Sequence, residues 1–278
     1  PEGIILEAGG MATMSNGNVV VSSRRGDVYI VENPYSTKPY FRKFATGLHE
    51  ILGLAIKDDV IYCAQRGELT RLLDKNRDGK ADKYETVYSW PISGHYHEYS
   101  YGPKIGPDGS FYVTANVAFG SSDWWAGKSL VPWRGWTMKI SADGKMEPFA
   151  AGMRSPCGIG MINGDFFYGD NQGDWQGSGF ISHVEKGDFL GHPASLAWAD
   201  NPNSPVLMRK EEIFALVDPQ VLYWMGLPVK LSISATYSLG FLFFWLICTG
   251  SSVLTYWMLP PRMRQALAQK PDMPEIED

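Results

Sequence analysis

Over the first 200 residues the apolar positions fall in short runs, each closed by a turn signal. MATMSNGNVVVSSRRGDVYIVEN (11–33), GLAIKDDVIYCAQRGELTRLLD (53–74), IGPDGSFYVTANV (105–117) and GIGMINGDFFYGDNQGDWQGSGFISHV (from Gly158) share one order. An apolar run leads into a turn of the Asn-Gly, Asp-Asp, Asp-Gly or Gly-Asp kind and then into a β-rich run; the first two copies add Arg-Gly-Asp or Arg-Gly-Glu and a further strand. The unit recurs at roughly 40–50 residues, the length of a four-stranded propeller blade. The pattern predicts an all-β domain of about four blades; the competing reading is a series of unrelated hairpins in a sandwich.

The pattern changes after residue 205. EEIFALVDPQVLYWMGLP mixes aromatic and apolar residues with prolines, which suits a segment lying at a membrane interface. From Lys230 to Arg262 no residue between them is charged, and LGFLFFWLICTGSSVLTYWML fills the middle of that interval. A bilayer core of about 30 Å needs about 20 apolar residues in a helix, so this run predicts a single membrane span. Tyr237, Tyr256 and Trp257 stand where interfacial aromatic belts form, and Arg262, Arg264 and Lys270 place the tail on the cytoplasmic side. The hydroxylated and small residues at 232–236 and 249–252 favour docking against other helices. The expected organisation is a propeller-like extracytoplasmic domain (1–205), an interfacial linker (206–230), a transmembrane helix (231–259) and a cytoplasmic tail (260–278). Pro1 in place of methionine is expected for a processed product or a fragment.

Composition agrees with this picture. Ten tryptophans, fourteen tyrosines and thirty glycines describe strands and tight turns. A net charge of -5, with scattered cations, excludes the basic field that nucleic acid requires. Cys63, Cys157 and Cys248 form no zinc or haem spacing, and Cys63 and Cys157 are expected in the core, their pairing left open. DKNRDGKADKYE (74–85) matches the twelve-residue calcium loop at every specified position. Asp74, Asn76, Asp78 and Glu85 would ligate through side chains, Lys80 through its carbonyl, and Asp82 directly or through water, with Gly79 allowing the bend. One Ca2+, pinning a loop, is the expected cofactor. His49, His95, His183 and His192 show no metal-triad spacing.

YHEYSYGP, PWRGWTMKI, RSPCGIG, FFYGDNQGDWQGSG and GHPASLAW resemble the bacterial β-propellers of the soluble quinoprotein sugar dehydrogenases, the glucose/sorbosone dehydrogenase group. The resemblance covers residues 1–200. It implies a ring of six blades with pyrroloquinoline quinone and a sugar bound at one mouth, of which about four blades are visible here. It also implies that His97 is the base for the sugar hydroxyl, that Arg154 faces the reduced cofactor, and that Asp170, Asn171 and Asp174 line the same mouth. Glu98 or a backbone carbonyl would fix the tautomer of His97. The implied clamp of basic residues from later blades has only Arg209 and Lys210 to draw on after residue 200. Trp124, Trp125, Trp133, Trp136, Trp175 and Trp198 are expected to pack between blades rather than stack on sugar.

These features lead to a membrane-anchored, non-catalytic accessory subunit of a larger electron-transfer type membrane complex in a bacterial inner membrane, its degenerate propeller on the periplasmic side and its partners other integral membrane subunits. The alternative is an anchored quinoprotein sugar dehydrogenase using pyrroloquinoline quinone.

Overall fold

The computed structural model describes residues 5–118, 129–171, 178–209, 222–224, 227–229 and 233–258. The chain divides into two compact units, Pro1–Ile213 and Phe214–Asp278.

In the first unit, antiparallel strands form four consecutive sheets, which is the predicted four-blade, all-β, propeller-like arrangement. The first blade is β1 (Ala8–Thr13), β2 (Val19–Ser23), β3 (Val28–Glu32) and β4 (Tyr40–Ala45). The second is β5 (Leu54–Lys57), β6 (Val60–Ala64), β7 (Glu68–Leu73) and β8 (Lys83–Ser89). The third is β9 (Ser100–Ile105), β10 (Phe111–Ala115), β11 (Trp136–Ile140) and β12 (Met146–Ala151). The fourth has three strands among the described residues, β13 (Gly158–Ile162), β14 (Asp165–Asp170) and β15 (Phe180–Val184). The turns obey the signals that predicted them. Asp58 and Asp59 both take positive φ (53° and 56°) between the paired residues Lys57 and Val60, and Asn163 (54°) and Gly164 (96°) do the same between Ile162 and Asp165. Two successive left-handed residues make the two-residue hairpin turn whose twist matches that of the strands, and Asn, Asp and Gly tolerate that region best.

Three apolar clusters hold the blades together, one at each junction. Val20, Ile30 and Phe44 meet Ile51, Leu54, Ile61 and Leu72 between the first two blades. Tyr62, Leu69 and Trp90 meet Phe111, Val113, Trp136 and Met138 at the second junction, and Leu196 and Val206 close over them. Tyr112, Ala150 and Met153 meet Phe166, Tyr168 and Val184 at the third, where the rings of Tyr112 and Phe166 stack at 5.1 Å. Trp133 and Trp136 are buried edge to face at 5.2 Å, as expected for packing residues, while Trp124, Trp125 and Trp175 lie outside the described residues.

The innermost strands approach so closely that side chains are excluded. A Cβ on Gly10 would stand 2.7 Å from the Cα of Gly53, and one on Gly53 2.4 Å from the carbonyl oxygen of Gly102. The strands β1, β5, β9 and β13 therefore pack in series, whereas among the described residues β13 and β1 make no comparable contact and no apolar cluster joins the fourth blade to the first. Within those residues the blades form an open arc.

Cys63 is fully buried as expected, and burial pushes its thiol up to about 12. Cys157 corrects the expectation of a core residue: it is exposed, because the chain turns at Ser155-Pro156 and delivers it to the groove lined by Gly9, Gly53, Tyr101 and Gly102. Neither cysteine is in a disulfide.

In the second unit, a short hairpin, β16 (Leu222–Trp224) and β17 (Leu227–Val229), precedes a 26-residue helix, α1 (Ile233–Met258), which occupies the apolar run. Its large apolar side chains are exposed, Phe241 at 67 % and Trp245 at 58 % among them. Among the described residues no helix is long and apolar enough to cross a membrane. Arg262, Arg264 and Lys270 lie outside the described residues.

Candidate functional site

Successive strands of a blade run in opposite directions, so the segments that follow even-numbered strands all emerge at one end of the arc. Arg24 follows β2, Glu50 follows β4, Arg66 follows β6, the segment 90–99 follows β8, Asn116 and Val117 follow β10, Arg154 and Ser155 follow β12, and Asn171 follows β14. The chain order thus gathers His97, Arg154, Asp170 and Asn171 at one mouth. Asp174 lies outside the described residues.

His97 is half-buried and held at both ring nitrogens. Its Nδ1 lies 3.4 Å from the carbonyl oxygen of Val117, and its Nε2 lies 3.0 Å from Oγ of Ser155. A carbonyl can only accept, so Nδ1 carries the proton in the neutral ring and Nε2 accepts from the Ser155 hydroxyl. Burial pulls the His97 pKa below 6.5, the Val117 carbonyl opposes this, and the Arg154 charge adds to the lowering. The tautomer is thus fixed by a backbone carbonyl. Glu98 is engaged elsewhere. Fully buried, it accepts from the backbone N–H groups of Ser93 and Gly94 at 2.7 and 2.8 Å and from the Ser93 hydroxyl at 2.9 Å.

Asp170 is likewise a brace. Its carboxylate accepts from the backbone N–H groups of Arg154 (2.8 Å), Ser155 (2.8 Å) and Asn171 (2.9 Å), which fixes the turn that carries Arg154 and Ser155. Burial raises its pKa against those three donors. Nη1 of Arg154 lies 3.4 Å from both Ser155 Oγ and Asn171 Oδ1.

Sequence reasoning missed several members of this mouth. Tyr99 has Arg24 and Arg66 over its ring at 5.7 and 5.5 Å, and Glu50 pairs with both, at 3.4 Å to Arg24 and 2.7 Å to Arg66. Arg134, from the PWRGW stretch, is fully buried and donates to the carbonyls of Asn116 (2.9 Å) and Tyr99 (2.7 Å) and to Ser100 Oγ (3.1 Å). Burial brings its pKa down to about 10. The arginine between two aromatics in PWRGW was a usable signal, since a charged residue in an apolar run must find partners inside. His192 is also buried; its Nδ1 accepts from Ala194 N at 3.3 Å and caps the 3-10 helix Pro193–Trp198.

This donor set does not fit a quinone bearing three carboxylates. Arg24 and Arg66 share Glu50, Arg134 is consumed by carbonyls, and Arg209 pairs with Asp200 at 2.8 Å. Arg24, Arg66 and Glu50 together keep one net positive charge and Arg154 adds a second, fewer than three carboxylates call for, and moving Arg134 or Arg209 to a ligand would strand its present partner.

The calcium-loop residues lie between β7 and β8, at the end of the arc opposite the mouth. Gly79 bends the loop at φ 87°. Asp74 accepts from Gly79 N (2.8 Å), Asp78 from Lys80 N (2.9 Å), Asn76 from Asp78 N (3.0 Å), and Asp82 from Lys75 N (2.8 Å). Glu85 does not join them. It lies within β8, directly opposite Arg71, and pairs with Arg71 and Lys83, whose hydrogen bonds draw its pKa down to about 2. The twelfth position has been taken by the sheet, so the predicted six-member set is not assembled. Among the described residues no three His, Cys, Asp or Glu side chains group to hold a metal.

Residues 40–220 match the family model described as Domain of unknown function (DUF7133). Among solved structures, the chain is similar to a putative oxidoreductase (glucose dehydrogenase) from Thermus thermophilus, with 16 % identity and a TM-score of 0.55 over 72 % of this chain and 69 % of that one. It is also similar to the soluble aldose sugar dehydrogenase of Escherichia coli in its apo form, with 12 % identity and a TM-score of 0.52 over 67 % of this chain and 62 % of that one. A glucose dehydrogenase matches at 11 % identity and a TM-score of 0.55, over 68 % of this chain and 64 % of that one. At such identities the likeness establishes the dehydrogenase-like propeller fold and not the chemistry. A search of curated protein sequences finds no match.

Proposed function

The chain belongs to the family described as Domain of unknown function (DUF7133), and we propose that it is a membrane-anchored accessory subunit whose dehydrogenase-like propeller arc serves assembly rather than catalysis. The observation that carries this reading is the open arc, with β13 and β1 unpacked and no core cluster between the end blades among the described residues. Open apolar blade faces and sheet edges favour association. The state of the mouth supports it: the Asp170 carboxylate is spent on three backbone groups and the basic nitrogen of His97 on Ser155. The uncharged run through α1 anchors the subunit, the tail from residue 260 is cytoplasmic and the arc periplasmic. Calcium belongs to this reading as a loop-pinning ion on Asp74, Asn76, Asp78 and Asp82, without Glu85.

The test is removal of residues 231–278 followed by membrane pelleting and co-purification in mild detergent. The expected result is release of a folded arc that no longer leaves the membrane with other integral subunits. Continued tight pelleting overturns the anchor. The second reading, an anchored sugar dehydrogenase, draws on the convergence of His97, Ser155 and Arg154. Sugar-dependent dye reduction after addition of pyrroloquinoline quinone and calcium, abolished by His97→Ala, would establish it and overturn the first.

A further inference from the structure

The contact that keeps His97 from a sugar hydroxyl is itself a hydroxyl paired with an imidazole. Ser155 donates to Nε2 of His97 at 3.0 Å, and Nδ1 of the same ring donates to the Val117 carbonyl at 3.4 Å. A hydroxyl, a neutral imidazole behind it and a third group that sets the tautomer are the parts by which proteins activate a serine. The segments that carry them are tied to one another. Val117 N donates to the Arg154 carbonyl at 3.0 Å, Cys157 N donates to the Ser155 carbonyl at 2.7 Å, and the Asp170 carboxylate holds the N–H groups of Arg154 and Ser155 at 2.8 Å. On the His97 side, Tyr99 N donates to the His97 carbonyl at 3.0 Å, and buried Glu98 holds Ser93 and Gly94. Separating the two turns would break several of these bonds.

The polarity around Ser155 Oγ runs one way. Its proton faces a nitrogen that burial keeps neutral, since desolvation, the largest influence, pulls the His97 pKa below 6.5. Its oxygen faces a cation, with Nη1 of Arg154 3.4 Å away. A serine acting only as a strut to His97 has no need of a guanidinium at its oxygen. A nucleophile gains from one, because the negative charge that builds beside Oγ during attack is stabilised there.

We propose that Ser155 is an acyl-accepting nucleophile, with His97 as its base and Arg154 as the cation that meets the oxyanion, and that its substrates are activated esters of small acyl groups. The Oγ–H proton passes to Nε2 as Oγ bonds to the ester carbonyl carbon, and the carbonyl oxygen takes the negative charge beside Arg154. Collapse breaks the bond to the leaving alcohol, which takes the proton from Nε2 as it departs. Water, giving its proton to Nε2, then attacks the acyl group, and Ser155 leaves with that proton as the acid is released. No electron acceptor enters, so this chemistry is independent of a quinone and goes beyond the assembly reading without depending on it. Two features set the substrate class. Ser155 is 6 % exposed, which restricts the acyl group to a small one such as acetyl. The orienting group is a carbonyl and not a carboxylate, and the charges of Arg154 and Arg134 disfavour the imidazolium, so the base is weak and only a good leaving group departs.

The experiment treats the full chain in mild detergent with an alkyl fluorophosphonate and, separately, with p-nitrophenyl acetate, and locates the adduct by peptide mass spectrometry, with circular dichroism to check folding. A single adduct on Ser155 is expected, absent from Ser155→Ala and formed about 100-fold more slowly or worse in His97→Gln, the lower end of what a positioned base contributes. The rate should fall as pH drops through the His97 titration, which lies below 6.5. An unlabelled wild type overturns the proposal. So does an adduct confined to Cys157 or a lysine, a rate that His97→Gln leaves unchanged, or one that is as fast in the urea-unfolded chain. The last comparison needs no variant, so it decides the matter even where a substitution prevents folding. Release from the membrane on truncation is read separately, and either idea can fail alone.

Discussion

The third and fourth blades begin alike, with a short inner strand, a glycine-bearing turn and an aromatic second strand, yet they end in different situations. The third has four strands and a cluster of buried side chains on each face, with Phe111, Trp136, Met138 and Ile140 on one side and Tyr112 and Ala150 on the other. The fourth, among the described residues, has three strands and one covered face. The difference teaches that a blade's sequence specifies two faces, whereas only its neighbours decide whether both are used. A hydrophobic face is stabilising in proportion to the area it hides, so equal patterns carry unequal energies.

Substitutions on the covered side should show the largest effects. Trp136→Ala removes a fully buried indole that also donates to the Ser195 carbonyl at 2.9 Å, and should cost about 3–5 kcal/mol in urea unfolding. Gly53→Ala, with its Cβ forced to 2.4 Å from the Gly102 carbonyl, should cost about 3 kcal/mol by overpacking. If either is tolerated, the covered faces are looser than described.

A pH titration sharpens the same contrast from inside the third blade's cover. Burial holds the pKa of His192 down to about 3, below the ordinary value of 6.5, so the unfolded chain takes up the proton first. Stability is then complete above about pH 6.5 and falls toward pH 3, with a slope on the order of 1 kcal/mol per pH unit for one proton. His192→Gln should flatten that slope. An unchanged slope would mean that the imidazole is not buried neutral.

Smaller effects belong to the two ends of the arc. His97→Ala loses the bonds to Ser155 and Val117 and should cost on the order of 1 kcal/mol. Asp78→Ala should lower the melting temperature in calcium but change little in excess chelator, because ligand stabilisation follows RT ln(1 + [L]/Kd). Equal destabilisation in both would remove the ion from the account. The smallest change is expected on the open face, where Gly160→Ala meets no atom within 4 Å and should shift stability by less than about 1 kcal/mol in the monomer. A large loss there would show that the face is covered.

Much of this was legible in the residues. Turn dipeptides such as Asp58-Asp59 and Asn163-Gly164 fix their hairpins locally, because left-handed backbone is available chiefly to those residue types. His97, Arg154 and Asp170 were found because they sit in compact motifs beside strand ends. Ser155, Tyr99 and Glu50 were not, because nothing local marks a serine that will meet a histidine 58 positions away. Glu85 stands apart from the other loop residues for a related reason. The calcium pattern is a statement about spacing along the chain, but pairing of β8 with β7 turned that position toward Arg71.

The sequence alone determined the repeat, the turns and strands within it, and the uncharged run that α1 occupies, since all of these depend on residues within one or two turns of chain. The tertiary structure decided which carboxylates are braces, what each ring nitrogen of His97 meets, that Cys157 is exposed while Cys63 is buried, and that among the described residues the fourth blade does not pack on the first. Those outcomes are set by contacts between segments that are distant in the chain. There the balance of burial against hydrogen bonding, and not local preference, selects the arrangement.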